Sequence, residues 1–240
     1  SLTKGAVVVG KNRSENLKKY FSDVKPDIVV MDDGFQHLRL FRNFNIVLFD
    51  SLLPLDRYKT APMGYLREGL TSLKDADFIV LTRVDQVHEK KINELIDMLY
   101  EHTSRPLPVA KVKYAPCGIY NCFDEKVMDL KELNGKKVSA VTGIASPEYF
   151  HNILSQYGAE IINKLNFPDH YYFSSEDLNE ILIDSVQNDY LILVTEKDMV
   201  KVKRLLKDER ILYLKIEMEF MSGEFELEDA IKKVLNLDSY

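Results

Sequence analysis

The sequence predicts an α/β protein built on mainly parallel sheets and divided into two lobes. Short apolar runs such as Ile28–Met31, Phe78–Leu81 and Tyr190–Val194 suit strands covered on both faces, where unbroken apolar stretches replace alternation. These runs alternate with amphipathic helical segments, the order expected when crossover helices join parallel strands. Between the halves, residues 116–135 carry Pro116, Gly118, Asn121, Asn134 and Gly135 among short apolar islands and read as a hairpin-like joint. The expected organisation is one lobe over 1–115, the joint over 116–135, and a smaller lobe over 136–240.

Composition fits a soluble globule with a useful core: 240 residues, 45% of them hydrophobic. Lys and Arg number 32 against 38 Asp and Glu, a net charge of -6 that argues against general nucleic-acid binding. No apolar stretch approaches the ~20 residues of a membrane span and no signal-peptide pattern opens the chain, so any membrane contact should be peripheral. Cys117 and Cys122 lack metal-type spacing and read as reduced thiols. The chain opens on Ser1 and runs at once into a strand-like segment, which reads as an excised piece.

In the first lobe, a strand at Ala6–Val9 leads to Gly10-Lys11-Asn12-Arg13 and a helix from Ser14, a good N-cap, to Asp23. Gly-Lys after a strand invites a P-loop reading, but the upstream glycine and the following Ser or Thr are missing. Lys11 or Arg13 is then expected to be solvated or beside a phosphate. Lys25-Pro26-Asp27 breaks the helix and feeds the strand Ile28–Met31. A second strand, Asn45–Phe49, ends on Asp50. Residues 51–66 have no strand or helix period, carry Pro54 and Pro62, and are expected to expose Leu52, Leu53, Tyr58, Met63 and Tyr65, as a functional or mobile loop would. Arg67 follows, just before a short helix, where its planar fork would grip a phosphate; a surface pair with Glu68 or Asp75 is the alternative. Thr82-Arg83-Val84-Asp85 after the strand Phe78–Leu81 is similar to a base-reading signature of GTPases, though Arg stands where the stacking Lys belongs. An amphipathic helix, Glu89–His102, and a strand, Val109–Tyr114, complete the lobe.

In the second lobe, a strand at Lys137–Val141 precedes Ser146-Pro147, a strong helix start, and a helix ending at Tyr157 before a C′ glycine, Gly158. His151 within it is expected to be exposed or half-buried. The strand Ala159–Leu165 leads to Phe167-Pro168-Asp169-His170-Tyr171. His170 sits in a polar loop beyond a strand end, beside Asp169, which would raise its pKa or fix its tautomer; a structural role is the alternative. Ser174 and Asp177 have capping-box spacing. Beyond the strand Tyr190–Val194, a basic helix at Met199–Leu206 presents Lys201, Lys203 and Arg204, with Lys197 just before it, to solvent or to an anion. Ile211–Lys215 and the helix Glu224–Leu235 close the chain.

The chemistry concentrates at Asp32 and Asp33, where the strand Ile28–Met31 stops. Ligands of open parallel sheets bind just past such strand ends. Two neighbouring carboxylates repel unless a cation or strong donors lie close, and Mg²⁺ shared with a phosphate is the common arrangement. Gly34 frees the backbone to approach a ligand, while Gln36 and His37 add a neutral hydrogen-bonding group and a titratable one. Asp-Asp-Gly as a plain turn is the competing reading.

Asp-Asp-Gly-Phe-Gln-His at 32–37, Gly-Tyr-Leu-Arg-Glu at 64–68, Thr-Gly-Ile-Ala-Ser-Pro at 142–147, Phe-Pro-Asp-His-Tyr at 167–171 and Thr-Glu-Lys-Asp at 195–198 occur in an order that resembles the tetraacyldisaccharide 4'-kinases, the lipid A 4'-kinases of Gram-negative bacteria. The resemblance spans nearly the whole chain from just past that family's P-loop. It implies an incomplete P-loop-NTPase-like sheet with a second, smaller α/β lobe, and transfer of the ATP γ-phosphate to the 4'-hydroxyl of a tetraacylated glucosamine disaccharide 1-phosphate. The implied cofactors are ATP and Mg²⁺, and the implied location is the cytoplasmic face of the inner membrane, with the lipid disaccharide as partner and no protein partner predicted. Asp32 and Asp33 would form the acidic Mg²⁺ motif, Gln36 and His37 would lie beside nucleotide and substrate, and Arg67 would lie near the substrate phosphate. His170 would help activate the acceptor hydroxyl, facing the two acids across a gap between the lobes. The family's Walker A loop, its membrane-seeking helix and the carboxylate paired with its catalytic histidine precede the point where this chain begins, so the fragment alone is expected to be inactive. Tyr65 and Gly69 depart from the family's usual residues. A nucleotide-binding, GTPase-like switch module and a non-catalytic interaction domain are the rival readings.

Overall fold

A computed structural model describes residues 5–10, 12–37, 39–144, 147–169 and 171–235. The chain forms two compact units, Ser1–Lys113 with Phe220–Tyr240, and Tyr114–Glu219.

The first unit holds three parallel strands in the order β1 (Ile46–Asp50), β2 (Phe78–Thr82) and β3 (Val109–Tyr120), the last of which runs on into the second unit. Every residue of β2 is buried, as its unbroken apolar run predicts. One face of the sheet, through Phe49, Ile79 and Leu81, packs on Ile92, Leu95 and Leu99 of α2 (Glu89–Tyr100). The other face, through Phe78, Val80, Ala110 and Val112, is covered by Phe44, Phe220, Leu227 and Ala230. Leu227 and Ala230 lie on the closing helix, which is thus part of this unit rather than of a lobe over 136–240. Full burial of a side chain the size of Phe78, Ile79, Leu81 or Leu95 contributes roughly 1.5–3 kcal/mol.

Two sequence expectations fail here. Ala6–Val9 and Ile28–Met31 form no strand: Val9 is 90% exposed and Val30 89%. Apolar composition favours a strand only where a neighbour completes its ladder and covers its side chains. Among the described residues β1 pairs only with β2, and Ile46 and Leu48 on β1 are themselves exposed. The first helix, α1, spans Arg13–Val24, and its N-cap is Asn12, whose Oδ1 accepts the Glu15 N–H at 3.3 Å, rather than Ser14.

The second unit is doubly wound. Its parallel strands lie in the order β6 (Glu160–Asn166), β5 (Lys137–Thr142), β7 (Leu191–Thr195) and β8 (Ile211–Ser222), the last passing into the first unit. β4 (Lys126–Met128) pairs antiparallel with the far end of β3, which gives residues 116–135 their hairpin and makes β3 longer than the sequence suggests. On one face α3 (Pro147–Gln156) buries Phe150, Ile153 and Leu154 against Ala140, Leu193 and Leu212. On the other, α4 (Ser175–Asn188) and α5 (Glu196–Val202) bury Leu178, Met199 and Val202 against Val141, Ile192 and Val194. Ser174 and Asp177 form the expected capping box, and Gly158 takes a left-handed φ of 79° past α3. Ser146, expected to cap α3, lies outside the described residues. α5 starts at Glu196 because Thr195 caps it, earlier than the apolar pattern indicates. The remaining helix, α6, spans Glu224–Val234.

Candidate functional site

Residues 32–37 form a turn at the surface of the first unit, so the plain-turn reading holds for the backbone. Asp33 carries a left-handed φ of 49°, uncommon for a residue with a Cβ. Two arginines hold the turn by its carbonyls. Arg13 donates from Nη2 to Asp32 O at 2.9 Å and from Nη1 to Asp33 O at 3.0 Å. Half-buried Arg42 donates from Nη1 to His37 O at 2.7 Å and from Nε to Asn45 Oδ1 at 2.6 Å. Arg13 is therefore neither simply solvated nor free to serve only a phosphate, and Lys11, the other candidate, lies outside the described residues. Arg42 carries no motif, and only its bonds to residues two to eight positions away reveal its role.

The carboxylate of Asp33 forms an ion pair with Arg67. Thus two predicted site residues meet directly, and the partner of Arg67 is neither Glu68 nor Asp75. Both side chains are more than half exposed, at 70% for Arg67 and 53% for Asp33, so the pair is worth only about 0–1 kcal/mol. Its importance is electrostatic: a guanidinium supplies the neighbouring cation that adjacent carboxylates require. Gln36 and His37 are half-buried, and the Nδ1 atom of His37 is buried without a hydrogen-bond partner among the described residues. Gly10, Arg13, Asp33, Gln36, His37 and Arg67 help line one open depression of about 550 Å³. Gln36 and Arg67 also border a second cavity of about 240 Å³, walled by apolar side chains that include Phe35, Phe49, Leu53, Tyr58, Leu66 and Leu73.

No group of three or more His, Cys, Asp or Glu side chains able to hold a metal occurs among the described residues. Mg²⁺ needs no such cage: one or two carboxylates plus phosphate oxygens suffice, and the exposed Asp32 and Asp33 fit that limited donor set.

The loop 51–66 is more anchored than its sequence implies. Tyr58 is 4% exposed, packs on Phe49 at 5.8 Å between ring centroids, and donates its hydroxyl to Asp50 O at 2.7 Å. Burial pushes its phenol up to about 12. Leu53 joins the core, whereas Met63 and Tyr65 stay exposed. Arg83, in the stretch similar to a GTPase signature, forms an ion pair with Asp50, with Nε 2.8 Å from Oδ1. Thr82 Oγ1 donates to Phe49 O, so this segment closes the end of β1 and the base-reading alternative is not favoured.

In the second unit, Lys197, Lys201 and Lys203 pair with Asp169, Asp198 and Asp124 at 3.4, 3.0 and 3.0 Å rather than forming an anion-facing row. His151 is buried, not exposed or half-buried, and burial lowers its pKa. His170 lies outside the described residues, so its expected position opposite Asp32 and Asp33 does too.

The family model for tetraacyldisaccharide-1-P 4'-kinase matches residues 1–236. The tetraacyldisaccharide 4'-kinase of Halothermothrix orenii is 32% identical over 243 residues, covering 95% of this chain and 63% of that protein. That of Geobacter sulfurreducens is 31% identical, covering 95% and 61%, and that of Bdellovibrio bacteriovorus is 30% identical, covering 96% and 67%. The chain thus spans a little under two thirds of the length of the first two. The crystal structure of the "apo" form of LpxK from Aquifex aeolicus in complex with ATP shares the fold, with a TM-score of 0.68 at 24% identity over 93% of this chain and 62% of that one. This likeness agrees with the α/β fold the sequence predicts. By its match over residues 1–236, the chain belongs to the tetraacyldisaccharide-1-P 4'-kinase family.

Proposed function

We propose that this chain carries the acidic, phosphate-facing edge of an ATP-dependent kinase that phosphorylates the 4'-hydroxyl of a tetraacylated glucosamine disaccharide 1-phosphate. The observation that supports it best is the convergence of Asp33, Gln36, His37 and Arg67, from two separate motifs, on one depression in a chain of this family. Phosphoryl transfer asks a protein for positioning, charge neutralisation and activation of the hydroxyl.

In this reading Asp32 and Asp33 hold Mg²⁺, which would neutralise charge on the transferring phosphoryl group. Arg67 waits on Asp33 and exchanges that carboxylate for a phosphate oxygen when substrate arrives, an exchange made easy by the weak exposed pair. Gln36 and the unpartnered Nδ1 of His37 supply hydrogen bonds to the polar part of a ligand. The apolar cavity beside Gln36 and Arg67 suits the alkyl part of an amphipathic substrate, and exposed Met63 and Tyr65 extend that surface. His170 takes the role of activating the acceptor hydroxyl on the strength of its motif. No helix among the described residues is long and apolar enough to cross a membrane, and contact with the cytoplasmic face of the inner membrane is proposed to be peripheral.

The test is transfer of radiolabelled γ-phosphate from ATP to the lipid disaccharide by the full-length protein. Asp33→Asn, Arg67→Ala and His170→Ala should each lower turnover at least about tenfold, the loss expected from removing a positioned acid–base or electrostatic group. Unchanged turnover in Asp33→Asn and His170→Ala would refute the assigned roles.

A further inference from the structure

In the second unit the winding reverses between β5 and β7. The chain leaves β5 through α3 to reach β6 on one side, then returns through α4 to place β7 on the other. A doubly wound sheet opens a crevice at the carboxyl ends of the two strands flanking such a reversal, and ligands commonly enter there. Here those ends are Thr142-Gly143 and Thr195-Glu196, and the crevice is filled from within.

The filler is Asp198, which is fully buried. Its Oδ2 accepts the Gly143 N–H at 2.9 Å and the Thr195 hydroxyl at 2.7 Å, while Oδ1 accepts from the Lys201 ammonium at 3.0 Å. An internal carboxylate therefore takes backbone and side-chain donors that a bound anion would otherwise attract.

The segment that follows β6 rests on this filler. Phe167 donates its N–H to Thr142 O at 2.7 Å. A Cβ placed on Gly143 would lie 3.2 Å from Asp198 Oδ1, 3.4 Å from Tyr171 Cβ and 3.5 Å from Pro168 O, so Gly143 is wedged between the carboxylate and the segment. Phe167 stacks on Tyr171 at 4.5 Å, both meet Phe173 edge-on, and Lys197 reaches Asp169 at 3.4 Å. Thr142 and Gly143, Phe167, Pro168 and Tyr171, and Thr195 and Asp198, drawn from three separate motifs, thus meet around one carboxylate.

We infer that Asp198, acting through Gly143, is a positioning residue: it forms the rigid seat of Phe167, Pro168 and Tyr171, the described neighbours of His170 in the chain, and so sets the rate of the step in which His170 takes part. The catalytic consequence rests on the proposed role of His170; the seat itself does not.

Two measurements on the full-length protein separate these. Amide hydrogen exchange reads the seat: Asp198→Asn should speed exchange at Phe167 and Tyr171 at least about tenfold while β7 and α4 stay protected, the signature of local rather than global opening. Gly143→Ala, which keeps the carboxylate and its charge, should act in the same direction and covers the case in which Asp198→Asn fails to fold. Unchanged exchange in either folded variant would overturn the inference. Steady-state kinetics read the consequence: both variants should lower kcat about tenfold or more with KM for ATP within about twofold, and adding His170→Ala should cost little further, because residues acting as one unit are not additive. Full additivity with His170→Ala would overturn the link to catalysis. If His170→Ala alone leaves kcat intact while the exchange result holds, the role of His170 fails and the seat stands.

Discussion

Replacing Arg42 by Ala tests whether the turn 32–37 is held in shape by the fold. Arg42 contributes two short bonds, 2.7 Å to His37 O and 2.6 Å to Asn45 Oδ1, besides two longer ones of 3.4 Å to Gly34 O and 3.5 Å to Leu40 O. A hydrogen bond from a charged donor contributes about 1.5–3 kcal/mol when well buried. Arg42 is only half-buried, so we take about 1–1.5 kcal/mol for each short bond and place the total near 2–3 kcal/mol. For a chain of this size that corresponds to a fall in Tm of roughly 5–10 °C. Thermal unfolding followed by circular dichroism gives the loss, and amide exchange at His37, whose N–H is bonded to Gly34 O at 3.0 Å, should locate it. Arg42→Lys keeps the charge but not the planar fork and should recover less than half. A Tm within about 1 °C of wild type in Arg42→Ala, with His37 exchange unchanged, would refute the reasoning.

Tyr58→Phe removes the hydroxyl that ties the loop 51–66 to Asp50 O and should cost about 1–1.5 kcal/mol in urea unfolding, with a lower midpoint and an unchanged slope. Ser185, fully buried, donates its hydroxyl to Tyr190 O at 2.6 Å beyond the end of α4, so Ser185→Ala should cost about 1–2 kcal/mol by the same measurement. His151 has its pKa lowered in the folded state by burial, so its contribution is present above the ordinary value of 6.5 and is lost as pH falls below it, because the unfolded chain takes up the proton first. Stability measured from pH 7.5 down to about 5 should decline along that limb, and His151→Leu should flatten it.

The second unit is the more legible half of the sequence. Its apolar runs, its Ser174–Asp177 capping box and its glycine stop at Gly158 are local signals, and each has its neighbouring strand or helix within the unit. In the first unit, the same kind of run at Ile28–Met31 misleads, since a ladder is a property of pairs and the run has none among the described residues. His151 misleads differently. The residue's average exposure says little when its position on α3 falls on the buried face beside Phe150 and Leu154. Of the candidate site, the acids, Gln36, His37 and Arg67 are readable from their motifs, and the structure adds that Arg67 and Asp33 touch. Arg42 and the floor made by Asp198 are not readable for different reasons: Arg42 reaches the carbonyl of His37 only five residues back but in no motif that marks the bond, whereas Asp198 binds the N–H of Gly143, 55 residues away.

In the proposed function, the two acids at the end of the Ile28–Met31 run serve a metal–phosphate complex. Calorimetric titration of ATP into the full-length protein, with and without Mg²⁺, tests this most directly. The expected result is that Asp33→Asn weakens the Mg²⁺-dependent part of binding at least about tenfold, near 1.4 kcal/mol, and that Asp32→Asn weakens it too, while affinity for metal-free ATP does not fall. Binding that keeps its full Mg²⁺ dependence in both variants would contradict it.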